Sequence, residues 1–119
     1  SECAIHEPND TMAAAWGPLL LGTTYRSYLC FFDPVDWYYF DVPRAGALAV
    51  DLVVPALADL DLYLYSESGE IIAQSKTFGE GVAEHMIIVL QAPGRYYILV
   101  EPFTRRDPNQ PYDLTASFF

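Results

Sequence analysis

Asp59-Leu60-Asp61-Leu62-Tyr63-Leu64-Tyr65 alternates without a fault. In an extended chain its leucines fall on one side and Asp59, Asp61, Tyr63 and Tyr65 on the other, the two-residue period of a strand with one buried face. The acidic side reads as a solvated sheet face, and a cation or polar-ligand site at Asp59 and Asp61 is the rival reading. Ser66-Glu67-Ser68-Gly69 then turns the chain, and residues 70–75 form a short partner strand.

The same pattern extends in both directions. Upstream, residues 48–54 (LAVDLVV) follow a turn at Pro43-Arg44-Ala45-Gly46, and residues 37–42 (WYYFDV) are aromatic and β-rich. Residues 19–30 are a broken apolar stretch around Gly22. Downstream, residues 84–90 (EHMIIVL) and 96–100 (YYILV) are joined through Gln91-Ala92-Pro93-Gly94-Arg95. Their near-continuous apolar character predicts central strands. Residues 112–118 alternate again after a polar loop at 104–111. No helical pattern is long enough for a βαβ crossover. Eight or so short strands with frequent turn signals predict an all-β sandwich.

The chain has 119 residues, enough for one domain with its own core and too few for two. It carries 16 Asp and Glu against 6 Lys and Arg, a net charge of −10. That balance argues against nucleic acid or an anionic membrane surface as a partner, since both are held through basic side chains. No apolar run approaches about 18 residues, so no membrane-spanning segment is expected. The start lacks a basic region followed by an apolar stretch, so the chain reads as a mature or excised piece, with an extracellular setting suggested by few lysines and many tyrosines.

The acids are not evenly spread. Glu7-Pro8-Asn9-Asp10 is answered by Asp33-Pro34-Val35-Asp36. Carboxylates and an amide in two loop-like stretches are the donors that hard cations prefer, Ca²⁺ above all. The competing reading of Glu7, Asn9, Asp10, Asp33 and Asp36 is turn formation and capping. Asp10 is the predicted N-cap of a short helix over residues 11–16, stopped by Gly17-Pro18. Cys3 and Cys30 fit no zinc, haem or redox spacing. They are either a disulfide or two buried thiols; a metal shared by the two acidic stretches would bring them together, and closing a loop of that length is worth roughly 3 kcal/mol.

In this order the motifs resemble the bacterial pre-peptidase C-terminal domain. The matching elements are Glu7-Pro8-Asn9-Asp10, then Gly17-Pro18, Asp33-x-x-Asp36-x-Tyr38-x-Phe40-x-Val42, the Asp59–Tyr65 strand, Pro93-Gly94-x-Tyr96-Tyr97-x-x-Val100, and Tyr112-x-Leu114. The resemblance covers roughly residues 7–118. It implies a jelly-roll-like β-sandwich of about eight antiparallel strands with one short N-terminal helix, preceded by a linker-like segment at residues 1–6. It also implies a secreted bacterial accessory module with no catalysis of its own, attached to a peptidase and acting in substrate anchoring, spacing or maturation. Glu7, Asn9, Asp10, Asp33 and Asp36 match the calcium-ligating positions of the collagen-binding relatives, with backbone carbonyls near Ser27 and Tyr28 completing the shell. Those relatives carry a further acid where this chain has Ile5, which leaves one calcium as the expectation.

The alternative function is adhesion to collagen or a polysaccharide through an exposed aromatic face, drawn from Trp37, Tyr39, Tyr63, Tyr65, Tyr96, Tyr97 and Tyr112. Partners are then an extracellular polymer or the parent peptidase domain, and the module acts as a monomer. Catalysis is not expected. His6, read as exposed, and His85, read as structural, have no nucleophile beside them, and no hydrolase, zincin or phosphate-loop motif is present.

Overall fold

A computed structural model describes residues 2–119. Eight strands, all antiparallel to their sheet neighbours, form two four-stranded sheets. In chain order they are β1 (Thr24–Ser27), β2 (Asp36–Val42), β3 (Gly46–Val53), β4 (Asp59–Ser66), β5 (Ile71–Ser75), β6 (Glu84–Leu90), β7 (Gly94–Arg105) and β8 (Tyr112–Phe118). One sheet runs β1-β8-β3-β6 and the other β2-β7-β4-β5. The inward residues of the two sheets make one core: Tyr38 and Phe40 from β2, Leu60, Leu62 and Leu64 from β4, Leu48 and Leu52 from β3, Ile98 from β7 and Leu114 from β8 are all buried. Burying this apolar area is what drives the two layers together.

The predicted strands are all present, with one correction to their placement. β6 and β7 belong to different sheets, and Gln91-Ala92-Pro93 carries the chain across. β7 is central, between β2 and β4, but β6 is an edge strand with Ile87 and Val89 exposed on its outer side. The predicted short helix is a single 3₁₀ turn, Met12–Ala14, capped by Thr11 and not by Asp10. Thr11 Oγ1 accepts from the Ala14 amide at 3.2 Å. Six residues are too few for α-helical propagation to outweigh nucleation, and Trp16 is captured by β2 instead.

That capture positions the N-terminal segment. The Trp37 amide donates to Asn9 O at 2.8 Å, Trp16 N to Trp37 O and Tyr39 N to Trp16 O at 3.0 Å, and Leu19 N to Tyr39 O at 2.8 Å. Residues 9–19 thereby cover the free edge of β2, which would otherwise present unpaired backbone groups. Gly17 permits the approach: a Cβ there would lie 2.4 Å from Tyr39 O. Cys3 is bonded to Cys30, with 5.7 Å between their Cα atoms, so residues 2–6 are tied to the body through the turn Glu2–Ala4.

Candidate functional site

The edge-covering segment brings Glu7 and Asn9 to the start of β2, where Asp36 is the first residue, and the Cys30–Asp33 turn brings Asp33 to the same place. That turn is closed by the Asp33 amide donating to Cys30 O at 3.0 Å and the Cys30 amide donating to Asp33 Oδ2 at 3.2 Å. Arg106, reaching over from the β7–β8 connection, donates to both Cys30 O and Asp33 O. One carboxylate oxygen from each of Glu7, Asp33 and Asp36 lies within 4.8 Å of the others.

Asn9 is fully buried among them. Its side-chain amide lies 2.9 Å from Asp36 Oδ1 and 2.7 and 3.1 Å from the two Glu7 oxygens, and with its nitrogen on that side it donates to all three. Carboxylate oxygens gathered this closely are the ligands a hard cation takes. The donor set therefore fits a hard cation. Ser27, at the end of β1, adds a buried hydroxyl beside the Tyr38 phenol.

The fifth predicted ligand, Asp10, is exposed and outside the group of three. Its charge still adds to the upward push on Glu7 and Asp33. Asp36 is the most perturbed acid: burial, then the charge of Glu7, pushes it up to about 8, against an opposing hydrogen bond from Tyr112. Burial is also the first cause of the raised values at Glu7 and Asp33. Three acids that resist ionisation when metal-free are the ones a cation would ionise.

Sequence reasoning missed two groups that hold this cluster. Tyr112 on β8 donates to Asp36 Oδ2 at 2.5 Å and shares a 2.5 Å hydroxyl contact with Tyr38, linking the two sheets behind the site. Arg106 anchors the Asp33 turn. Both come from more than 70 residues away along the chain, and no local pattern marks them. His6 is half-buried with its ring 4.1 Å from that of Trp16, and His85 is exposed with Nδ1 2.5 Å from Asp51 Oδ1. Among the described residues neither imidazole has a serine or cysteine in hydrogen-bond contact; the Ser75 hydroxyl meets only the His85 backbone amide, at 3.2 Å.

The outer side of the β2-β7-β4-β5 sheet carries half-buried Trp37, Tyr39, Tyr97, Tyr63 and Tyr65. Trp37 and Tyr65 rings are 5.0 Å apart, Tyr39 and Tyr97 6.2 Å, and Arg95 lies 4.2 Å over Tyr39. Tyr96 and Tyr112, named with them from the sequence, point inward and are buried. Asp59 and Asp61 also depart from expectation: both are buried, not solvated. β5 pairs with β4 only from Leu62 to Tyr65, so the two acids lie past its end, where Lys76–Gly79 turns across them toward β6.

Among known proteins, the family model of the bacterial pre-peptidase C-terminal domain matches residues 34–102, more than half of the chain. Among solved structures, the pre-peptidase C-terminal domain of collagenase from Bacillus anthracis superposes with a TM-score of 0.67 at 23% identity, covering 82% of this chain and 90% of that one. The CBM51-2 and INT domain structure of Clostridium perfringens ZmpB gives 0.58 at 6% identity, over 82% of this chain and 22% of that one. PliG of Aeromonas hydrophila, a periplasmic inhibitor of g-type lysozyme, gives 0.52 at 16% identity, over 82% and 85%. At these identities the likeness is one of fold.

Proposed function

The chain belongs to the bacterial pre-peptidase C-terminal domain family, a family of accessory and not catalytic domains, and from that premise we propose that it is a calcium-stapled accessory module of a secreted bacterial protein. Glu7, Asn9, Asp33 and Asp36 hold the ion, and Asp10 contributes charge from the rim. The observation that carries the reading is the cluster itself: one carboxylate oxygen from each of Glu7, Asp33 and Asp36 lies within 4.8 Å of the others, beside the fully buried Asn9 amide. Calcium supplies the positive charge that lets these acids ionise. In doing so it pins the N-terminal segment against β2 and fixes the angle at which residues 2–6 leave the sandwich. The Cys3–Cys30 bond clamps the same two segments and fits an oxidising compartment. The module's work in its parent protein is anchoring or spacing.

The test is thermal unfolding of metal-stripped protein with and without Ca²⁺. Extracellular calcium modules bind at about 10⁻⁴–10⁻³ M. At ten times Kd the gain is about 1.4 kcal/mol, roughly 6 °C for a domain of this size. Asp36→Asn should abolish the gain. An unchanged melting temperature across that range in the wild-type protein sinks the reading.

A second reading, adhesion, is supported by the aromatic side of the β2-β7-β4-β5 sheet. Five half-buried rings on one outer face, together with Arg95, offer rigid stacking surface to an extended polymer. Co-sedimentation with insoluble collagen and with polysaccharides tests it. No depletion of protein from the supernatant, for either polymer, leaves the spacer role alone.

A further inference from the structure

We propose that Asp59, Asp61 and Glu84 form a second, separate site for a hard divalent cation. They are 3%, 4% and 1% exposed, and one oxygen from each lies within 4.8 Å of the others. Oxygens this close together can converge on one ion of the calcium class, whose ligands stand at about 2.3–2.6 Å.

Two of the three are oriented from behind. Glu84 accepts from Ser75 Oγ at 2.5 Å and from the Thr77 amide at 3.0 Å on both oxygens. Asp59 Oδ2 accepts from the Gly79 amide at 3.3 Å. These donors fix the two carboxylates, as outer-shell partners do in metal sites.

Asp61 is the group that needs a ligand. Its side chain is largely covered and lines the cleft, and no donor among the described residues reaches its carboxylate. A buried carboxylate without partners is costly, and such groups are paired or coordinate metals. The chain's own cations do not pair with it. Lys76, which lines the same cleft, acts on Asp61 only at longer range: it makes no ion pair with any of the three, and its ammonium lies 5.8 Å over the Tyr63 ring. Arg105, opposite Asp59 in the register, is bound to Glu80 at 3.0 Å. A cleft of about 390 Å³, with Glu101 at its rim, gives an ion access and leaves room for water ligands.

The site is distinct from the Glu7–Asp36 cluster. Asp36 pairs with Val100 on one side of β7 and Asp61 with Glu101 on the other, so a strand separates them. The proposal does not depend on the first site being occupied.

Equilibrium dialysis of the metal-stripped chain against radiolabelled Ca²⁺ at about 1–3 mM decides it. The wild-type protein should bind two ions per chain. Asp61→Asn should bind one, and Glu7→Gln/Asp33→Asn should bind one, each checked for folding by circular dichroism. Asp61→Asn still binding two overturns the proposal, as does a wild-type chain whose single ion is lost in Glu7→Gln/Asp33→Asn. Should Asp61→Asn fail to fold, the Glu7→Gln/Asp33→Asn variant decides alone: one retained ion supports the second site and none removes it. If instead the first site is the one that fails, the wild-type chain binds one ion, which Asp61→Asn loses and Glu7→Gln/Asp33→Asn keeps.

Discussion

Removing the disulfide tests how firmly the N-terminal segment belongs to the cooperative fold. Cys3 and Cys30 are 27 residues apart in sequence. In the chain-entropy model, freeing a loop of that size restores about 12 cal/mol/K to the denatured chain, which is about 3.5 kcal/mol at 25 °C. For a domain of this size that is roughly a 14 °C fall in melting temperature. The variant Cys3→Ala/Cys30→Ala should also lose a few tenths of a kcal/mol to about 1 kcal/mol at Cys30, which is buried. The assay is urea unfolding in EDTA, followed by both tryptophan fluorescence and far-UV circular dichroism. A total loss of 3–5 kcal/mol, on the scale typical for native disulfides, is expected. Repeated in Ca²⁺, the variant should need more ion to reach the same stabilisation. Without the covalent clamp, calcium must itself order the residues that carry Glu7 and Asn9, and that cost is subtracted from binding. A loss below about 1 kcal/mol, with identical calcium response in both proteins, would refute the reasoning. The segment would then be held by its hydrogen bonds to β2 alone.

Other consequences can be checked alongside. Metal-free protein should lose stability as pH rises. Asp36 titrates near 8 in the fold against 3.8 unfolded, so the folded state holds a proton that the unfolded chain releases between those values, and the slope is negative there. Melting temperatures in EDTA from about pH 5 to about pH 8 should fall, and saturating Ca²⁺ should flatten the profile; a rise in EDTA contradicts the burial of Asp36. Tyr112→Phe strands both the Asp36 carboxyl and the Tyr38 hydroxyl, and should cost about 1–3 kcal/mol in urea unfolding; a neutral result means water replaces the phenol. Gly17→Ala places a Cβ against Tyr39 O and should cost about 1–3 kcal/mol of overpacking, read as a lowered urea midpoint with unchanged slope. Leu62→Ala, in the fully buried row of β4, should cost about 2–5 kcal/mol, and a smaller loss would place that row outside the packed core.

Much of the architecture was legible because it rests on local patterning. The alternation at residues 59–65 marked β4 correctly, and turn residues separated the other strands. The reading failed where tertiary placement overrides local pattern. Residues 84–90 look central by composition, yet β6 is an edge, and Ile87 and Val89 face outward. Nothing in an apolar run without a period says which side is covered. Residues 11–16 look helical, but Trp16 gains more by bridging to Tyr38 than a short helix can offer. The burial of Asp59 and Asp61 depends on residues 76–79 passing over them, and Glu84 arrives from the other sheet; no spacing in the sequence joins these three. The Glu7–Asp36 cluster was partly visible as two acidic stretches. Its supports, Tyr112 and Arg106, were not, because their contacts exist only once the sheets have closed.

The place of β8 has a kinetic meaning. It is the last strand of the sequence, yet it lies inside its sheet, between β1 and β3. The Thr24–Thr115 pair alone spans 91 residues. Until Tyr112–Phe118 has been made, β1 has no neighbour and β3 has only β6. Such non-local pairing carries a large loop-closure cost before any contact repays it, which puts folding in the millisecond-to-second range of sandwich proteins. During synthesis the β1-β8-β3-β6 sheet therefore cannot close until β8, made after the other three, has emerged. A chain cut before Tyr112 keeps seven strands but loses the seam that joins its first strand to the rest.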